Sequence, residues 1–335
     1  MRAISLFSGA GGFDSGAKMA GIDVLLAVEH DEQACDTFAA NHPAIPLHRG
    51  DVRDIDWGDY LSPPPEGAIN PHNWVADIDV VFGGPPCQPF SCAANGSRGQ
   101  SDTRDMVPEF LRCVREVKPM FFVMENVPSL AAPRHKKYFS SVLAQMEEMG
   151  YAVSHRVLDA SKFGVCQKRR RLFVIGVLGG PAVDMPALSL CRRPSLEYYL
   201  HVCIQPVGFG PAVIYAKNPV LRRSVGGSLL VNGRGKPITK LSNTITAGSG
   251  NGRHIIDPGG VLQEYHKSLH AGGPVRTGRV EGVRRMSFME ATLVQDFPWY
   301  YDWRGSSSSR WRQVGNAVPP RLACAVLGML EVGHE

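Results

Sequence analysis

Apolar residues follow two regimes along this chain. Short unalternating runs at Ile4 to Phe7, Val24 to Val28, Asp79 to Phe82, Met120 to Met124 and Leu172 to Val177 predict strands buried on both faces, and Ala152 to Leu158 reads as a further strand. Between them, helical periodicity covers Gly12 to Ala20, Val107 to Val117 and Tyr138 to Met149, and Asp31 is placed to N-cap a helix reaching about Asn41. Strands alternating with helices predict a doubly wound α/β fold with helices on both sides of a mostly parallel sheet.

From about Leu178 to Val283 this regime stops. Gly, Pro, Ser and Asn dominate, with short strand-like pieces at Ser228 to Val231 and Thr244 to Thr246. A domain boundary is therefore expected, with residues 179–283 set apart as a smaller, irregular, mostly β segment. The smaller segment carries 12 Lys or Arg against 5 acids, a positive surplus larger than the net charge of +5 of the whole chain. A polyanionic partner fits that balance. The 335 residues are 44% hydrophobic, enough for a proper core. The apolar run at the start is too short for a signal peptide, and no stretch approaches about 18 apolar residues, so a soluble, cytoplasmic protein is expected. Eight cysteines include no C-x-x-C pair and no clustered His, so neither zinc nor a disulfide framework is expected.

Chemistry-bearing residues collect where predicted strands end. Ile4 to Phe7 runs into Ser8-Gly9-Ala10-Gly11-Gly12-Phe13 and then a helix, so glycines allow close approach of a ligand to free N–H groups. Glu29 ends the second strand about 20 residues later, where nucleotide-binding units place an acid for ribose hydroxyls. Such turns serve nicotinamide, flavin and S-adenosylmethionine sites alike. The strand ending at Phe82 meets Gly83-Gly84-Pro85-Pro86, which cannot continue a ladder, so Cys87 is held on a stiff loop at the carboxyl edge of the sheet. Glu125-Asn126-Val127 follows another strand and faces the same edge. Four successive cations, Lys168 to Arg171, precede the last strand.

Pro86-Cys87-Gln88-Pro89-Phe90-Ser91 closely resembles the nucleophile motif of the C5-cytosine DNA methyltransferases, and the family's other blocks follow in the family's order. The resemblance spans nearly the whole chain. It implies a Rossmann-like S-adenosylmethionine-dependent methyltransferase domain with a target-recognition domain at 179–283. Phe7-x-Gly9-x-Gly11-Gly12 looks like its cofactor loop, with Phe7 near the adenine; Ser8, Phe13, Glu29, Asp51, Val52, Gly84 and Pro86 belong to the same implied pocket, with Asp51 taking the adenine amino group. Gln313-Val314-Gly315-Asn316-Ala317-Val318 is similar to the C-terminal block, through which Asn316 and Val318 return to complete that pocket, which implies that residues 1–178 and 284–335 form one discontinuous domain. Glu125 corresponds to the general acid. Gln167-x-Arg169-x-Arg171 matches a block whose arginines contact the flipped nucleotide, its phosphate or that acid. Cys166 stands where the family often has Pro, and Phe288-Met289 where Pro-Arg is commoner. The loop from Cys92 to Asp105 is expected to close over DNA.

The implied reaction is methyl transfer from S-adenosylmethionine to C5 of a cytosine flipped out of a short sequence in double-stranded DNA, through a Cys87–C6 adduct and without metal. Implied DNA contacts are Gln88, Ser91, Arg98 and Gln167. Base reading is expected from two Gly-rich segments carrying Arg234, Ser249, Asn251 and Arg253, with Lys236 and Lys240 on phosphate. A monomer sharing its site with a cognate restriction endonuclease, in a prokaryote or phage, completes the expectation. A nicotinamide oxidoreductase would leave the Pro-Pro-Cys-Gln, Glu-Asn-Val and C-terminal blocks unused. A tRNA cytosine methyltransferase would share the chemistry but not need so long a variable region. A silent DNA-binding relative would not need intact Cys87, Glu125 and Arg169.

Overall fold

A computed structural model describes residues 1–58, 78–86, 104–185, 213–215, 236–237, 244–246, 255–257, 261, 264, 268, 271 and 284–330. Its main sheet comprises β1 (Arg2–Leu6), β2 (Asp23–Glu29), β3 (Leu47–Arg49), β4 (Val80–Gly83), β5 (Phe121–Asn126), β6 (Tyr151–Asp159) and β7 (Arg170–Leu178). The order is β3-β2-β1-β4-β5-β7-β6. All pairings are parallel except those of β7, which runs antiparallel to both β5 and β6. The chain winds outward from β1 in one direction, then restarts beside β1 with β4 and winds in the other. The crevice between β1 and β4 is therefore the topological switch point, where open α/β sheets bind ligands.

Alternation within each strand feeds two cores. Ile4, Leu6, Phe122, Met124, Leu172 and Val174 face one layer, built from α3 (Val107–Val117) and α4 (Lys136–Glu148). Ala3, Val80, Phe82, Val123, Phe173 and Ile175 face the other, with α1 (Gly12–Met19) and α7 (Pro320–Leu327). In β1, β4 and β5 both faces are dry, which is why these strands read as continuous apolar runs, whereas β6 at the sheet edge exposes His155 and Arg156. Phe122 lies between Phe110 and Tyr151, with ring centroids 6.2 and 4.9 Å away. Truncating it to Ala costs about 3–5 kcal/mol.

Three departures from the sequence reading affect the site. Glu125 lies inside β5, not beyond it, because β5 continues to pair with β7 as far as Asn126. Thr244 to Thr246 is not a strand; Ile245 is instead held by side chains, as shown below. The serine-rich 306–309 stretch, which carries no apolar signal, starts helix α6 (Ser307–Asn316), with Ser306 capping Ser309 N. Helix α2 (Glu32–Asn41) is capped by Asp31 as expected, and α5 (Phe288–Val294) opens with a full capping box between Ser287 and Glu290. A small antiparallel sheet joins β8 (Val213–Tyr215), β9 (Lys236–Pro237), β10 (Ile255–Asp257) and β11 (Arg284–Arg285) in the order β11-β10-β8-β9. The segment Ser228 to Val231 lies outside the described residues.

Candidate active site at the carboxyl edge of the sheet

The Gly-rich loop leaves β1 at the switch point. Phe7 is half-buried and adopts φ 56, a left-handed conformation uncommon for a bulky residue. Ser8 is buried, with its hydroxyl 3.0 Å from Ser5 Oγ and its N–H on Val28 O. The Glu29 carboxylate organises the loop from β2: Oε2 accepts from Gly9 N at 2.8 Å, and Oε1 from His30 N and Asp31 N at 2.9 and 2.8 Å. A Cβ built on Gly9 would meet nothing within 4 Å. The loop thus leaves open space beside an ordered carboxylate and the start of a helix, the cradle a nucleoside-bearing cofactor requires. At the end of β3, Asp51 is held by Arg53, which donates from N, Nε and a terminal nitrogen. That guanidinium holds the Asp51 carboxyl at about 2.

Two expected pocket residues turn inward. Phe13 is buried against Phe82, centroids 4.8 Å apart, and Val52 joins the opposite core, so each can offer a ligand only its backbone. The C-terminal block does return to the loop: a Cβ on Gly12 would stand 2.4 Å from Val318 O and 3.3 Å from Ala317 Cβ. Asn316 ends α6 beside them.

Across the crevice, β4 delivers Gly84-Pro85-Pro86. Asn126 Nδ2 donates to Pro85 O at 3.1 Å, and Met106 N donates to Pro86 O at 3.1 Å. The Tyr138 hydroxyl donates to the Asp105 carboxylate on the returning side. Both stems of the segment carrying Cys87 are thereby tied to the edge that carries Glu125. Cys87 itself, with Gln88, Ser91 and Arg98, lies outside the described residues, as do Arg234, Lys240, Ser249, Asn251 and Arg253. Gly84 faces the acid directly, since a Cβ there would lie 2.9 Å from Glu125 Oε2.

Glu125 is 8% exposed, and Arg171 Nε stands 2.8 Å from its Oε1, an ion-pair distance without the alignment of a hydrogen bond. Burial pushes the Glu125 carboxyl above its ordinary range, opposed by the charges of Arg171 and Arg169. A carboxyl so placed holds a proton more readily than one in water, as a general acid must.

Arg169 does something other than expected. It is fully buried and donates to the carbonyls of Ile245 and Gly315, both at 2.9 Å, Asn316 at 3.3 Å and Ala317 at 2.8 Å. Its guanidinium is committed to main-chain carbonyls, and the acid's partner is Arg171 alone of the two. Gln167 is likewise fully buried, donating to Val294 O and Gln295 Oε1 and accepting from Ile245 N at 3.0 Å. An interior side chain bonded at both ends cannot reach DNA, so the expected contact by Gln167 is corrected to a structural one. Alternation along the Gln-x-Arg-x-Arg run sent these residues inward, a signal that charge alone conceals. Asn126 is a further site residue, present in the Glu-Asn-Val block but assigned no task from sequence.

The sequence matches the C-5 cytosine-specific DNA methylase family over residues 1–195 and 222–331. The chain belongs to that family. It is 32% identical over 334 residues to the type II methyltransferase M1.HphI of Haemophilus parahaemolyticus, covering 96% of this chain and 84% of that protein. It is 38% identical over 392 residues to M.DdeI of Desulfomicrobium norvegicum, covering 97% and 87%. Its fold is similar to that of Spodoptera frugiperda DNMT2, with a TM-score of 0.70 at 17% identity over 98% of this chain and 99% of that one. The fold of S. pombe Dnmt2 gives a TM-score of 0.67 at 18% identity over the full length of both chains. Family membership makes this a DNA cytosine-C5 methyltransferase with S-adenosylmethionine as methyl donor. Among the described residues no helix is long and apolar enough to cross a membrane, and no group of three or more His, Cys, Asp or Glu is placed to hold a metal.

Proposed function

We propose that this methyltransferase acts on a cytosine extruded from a specific short sequence in double-stranded DNA, with Cys87 as nucleophile and Glu125 as general acid. Cytosine C5 is a weak nucleophile until C6 is attacked, and a thiolate suits that attack. The Cys87 thiolate forms a bond to C6 while Glu125 shares its proton with N3, drawing density from the ring as the adduct forms. S-adenosylmethionine, when bound, supplies the methyl group that C5 takes. The C5 proton then leaves to base, the Cys87–C6 bond breaks, and Glu125 recovers its proton from N3. Arg171 fixes the position of the acid throughout. Because these atoms are stacked inside a duplex, the base must leave it. The observation that carries the reading is the buried Glu125–Arg171 pair, set beside the stems of the Cys87 segment at the β1–β4 crevice.

On this reading Phe7, Gly9, Glu29, Asp51, Gly84, Pro86, Asn316 and Val318 surround the cofactor. The catalytic domain comprises 1–178 and 284–335, and residues 179–283, which include three strands of the small sheet, read DNA. A cytoplasmic monomer sharing its site with a restriction endonuclease fits type II relatives. Purified wild-type protein given tritiated S-adenosylmethionine should label duplex DNA and not tRNA, and should be trapped covalently by 5-fluorocytosine in the target. Turnover by Cys87→Ala at the wild-type rate would refute the assignment of the nucleophile.

A further inference from the structure

The back of the Gly-rich loop is held by residues far away in sequence. The Tyr301 hydroxyl donates to Ala10 O, and Ser15 Oγ donates to Gly11 O at 2.8 Å. His42 Nε2 lies 3.2 Å from the Tyr301 oxygen and 3.3 Å from Ser15 Oγ. Each hydroxyl has one proton, and both protons are spent on loop carbonyls, so His42 must serve the two oxygens as an N–H donor. Burial keeps the imidazole neutral, with a pKa near 4, which fixes the Nε2–H tautomer. The fit is close: a Cβ on Gly11, whose φ is +81, would lie 2.5 Å from His42 Nε2 and 3.1 Å from the Tyr301 oxygen.

Tyr301 is delivered by the segment that follows it. Asn41 exchanges two hydrogen bonds with the main chain of Asp302, at 2.9 and 3.0 Å. Thr37 Oγ1 accepts from Arg304 N at 2.9 Å, and Gln33 Oε1 from Ser306 N at 2.7 Å. Arg312 closes the series on Asp31 at 2.7 Å. Helix residues 33, 37 and 41 recur every fourth position, an advance of about 6 Å. Two residues of extended chain advance about 6.6 Å, so main-chain groups at 302, 304 and 306 fall in step with a polar stripe on α2.

We infer that Tyr301, with Ser15 and His42, is a positioning unit that sets the cofactor loop from behind, and that residues 302–306 are the strap holding it there. The inference rests on the reading of the Gly-rich loop as the cofactor site. By turning the Ala10 and Gly11 carbonyls away from the crevice, the unit leaves the loop's front for the ligand. A tyrosine that only filled the core would affect every property of the enzyme alike; one that sets this loop affects one substrate.

The test uses the full-length protein. Tyr301→Phe should raise the Kd and KM for S-adenosylmethionine about tenfold, the worth of one buried hydrogen bond to the loop, while kcat at saturating cofactor and the KM for DNA stay within about twofold. Thr37→Val, which removes an acceptor of the strap, should shift the same constant in the same direction by less. Unchanged cofactor affinity in Tyr301→Phe, or equal losses in kcat and both Michaelis constants, overturns the inference. Should Tyr301→Phe fail to fold, Ser15→Ala must show the same cofactor-selective loss, and wild-type affinity there is equally decisive. Glu29→Ala separates this from the underlying reading: if it too binds cofactor normally, the loop is not the cofactor site, whereas if it alone loses affinity, only the positioning role fails.

Discussion

Arg171 Nε stands 2.8 Å from Glu125 Oε1 in a setting that buries both side chains, on neighbouring antiparallel strands. Burial raises the Glu125 pKa, and the guanidinium restrains that rise. Removing Arg171 therefore moves the Glu125 pKa further up. If Glu125 is the acid, activity is lost as pH rises through its pKa, so the alkaline limb of kcat should move to higher pH in Arg171→Ala even as the maximum falls. Glu125→Gln should lower kcat by about 10²–10⁴ with cofactor affinity preserved. An alkaline limb unmoved in Arg171→Ala would mean that another group carries the proton.

Asp14 provides a separate pH experiment. It lies in the first turn of α1 and is fully buried. Desolvation raises its pKa from 3.8 to about 7, with the Ser5 hydroxyl opposing and Glu29 adding to the rise. The native state thus holds this proton where the unfolded chain has released it, and stability falls as pH rises from about 4 to about 7, then levels. Three pKa units correspond to roughly 4 kcal/mol at most. Asp14→Asn, which cannot ionise, should gain on the wild type in thermal melts between pH 5 and pH 8. Parallel profiles would show that Asp14 ionises in the fold as it does in the unfolded chain.

Arg169 is a tie between regions distant in sequence, and its replacement should show it. Lysine carries the charge but lacks the planar fork that reaches carbonyls at 245, 315 and 317 together. Arg169→Lys should cost roughly 3–5 kcal/mol, since several acceptors lose a charged donor in a dry site. Its effect on cofactor and DNA affinity should appear together, because Ile245 and the 315–317 turn share the one guanidinium. Loss of DNA affinity alone would return Arg169 to a direct nucleotide contact.

How far the sequence revealed these residues depended on whether their signal was local. Strands buried on both faces announce themselves, and Asp31, followed by a helical run, is a legible cap. The motif blocks pointed to Glu125, Gly9 and Val318 because each block is contiguous in the sequence. Gln167 and Arg169 are assigned to DNA and the flipped nucleotide by motif, which does not tell that strand alternation directs every second residue of this run inward, where both bond to the protein itself. Tyr301 sits in Trp299-Tyr300-Tyr301-Asp302-Trp303, where no periodicity separates the exposed rings of Trp299 and Tyr300 from the buried one. Its importance depends on a match between α2 and a segment some 260 positions later, visible only once the chain is folded. Asp14 had no sequence signal either, because an acid in the first turn of a helix is ordinary.

Two glycines of the same loop should fail in different ways. A Cβ on Gly12 runs into Val318 O at 2.4 Å and Phe297 Cζ at 3.0 Å, contacts within the protein itself, whereas a Cβ on Gly9 meets nothing within 4 Å. Gly12→Ala must therefore push the loop off the C-terminal block, lowering the melting temperature of the cofactor-free protein and weakening cofactor binding with it. Gly9→Ala carries only the cost of a left-handed conformation at φ +56, about 1–2 kcal/mol. Its methyl group would project into the open space assigned to the ligand, so the folded variant should lose S-adenosylmethionine affinity out of proportion to its stability. Calorimetric melts without cofactor, paired with titration of S-adenosylmethionine, separate the two. If Gly9→Ala bound cofactor as the wild type does, the open space in front of the loop would belong to something other than the methyl donor.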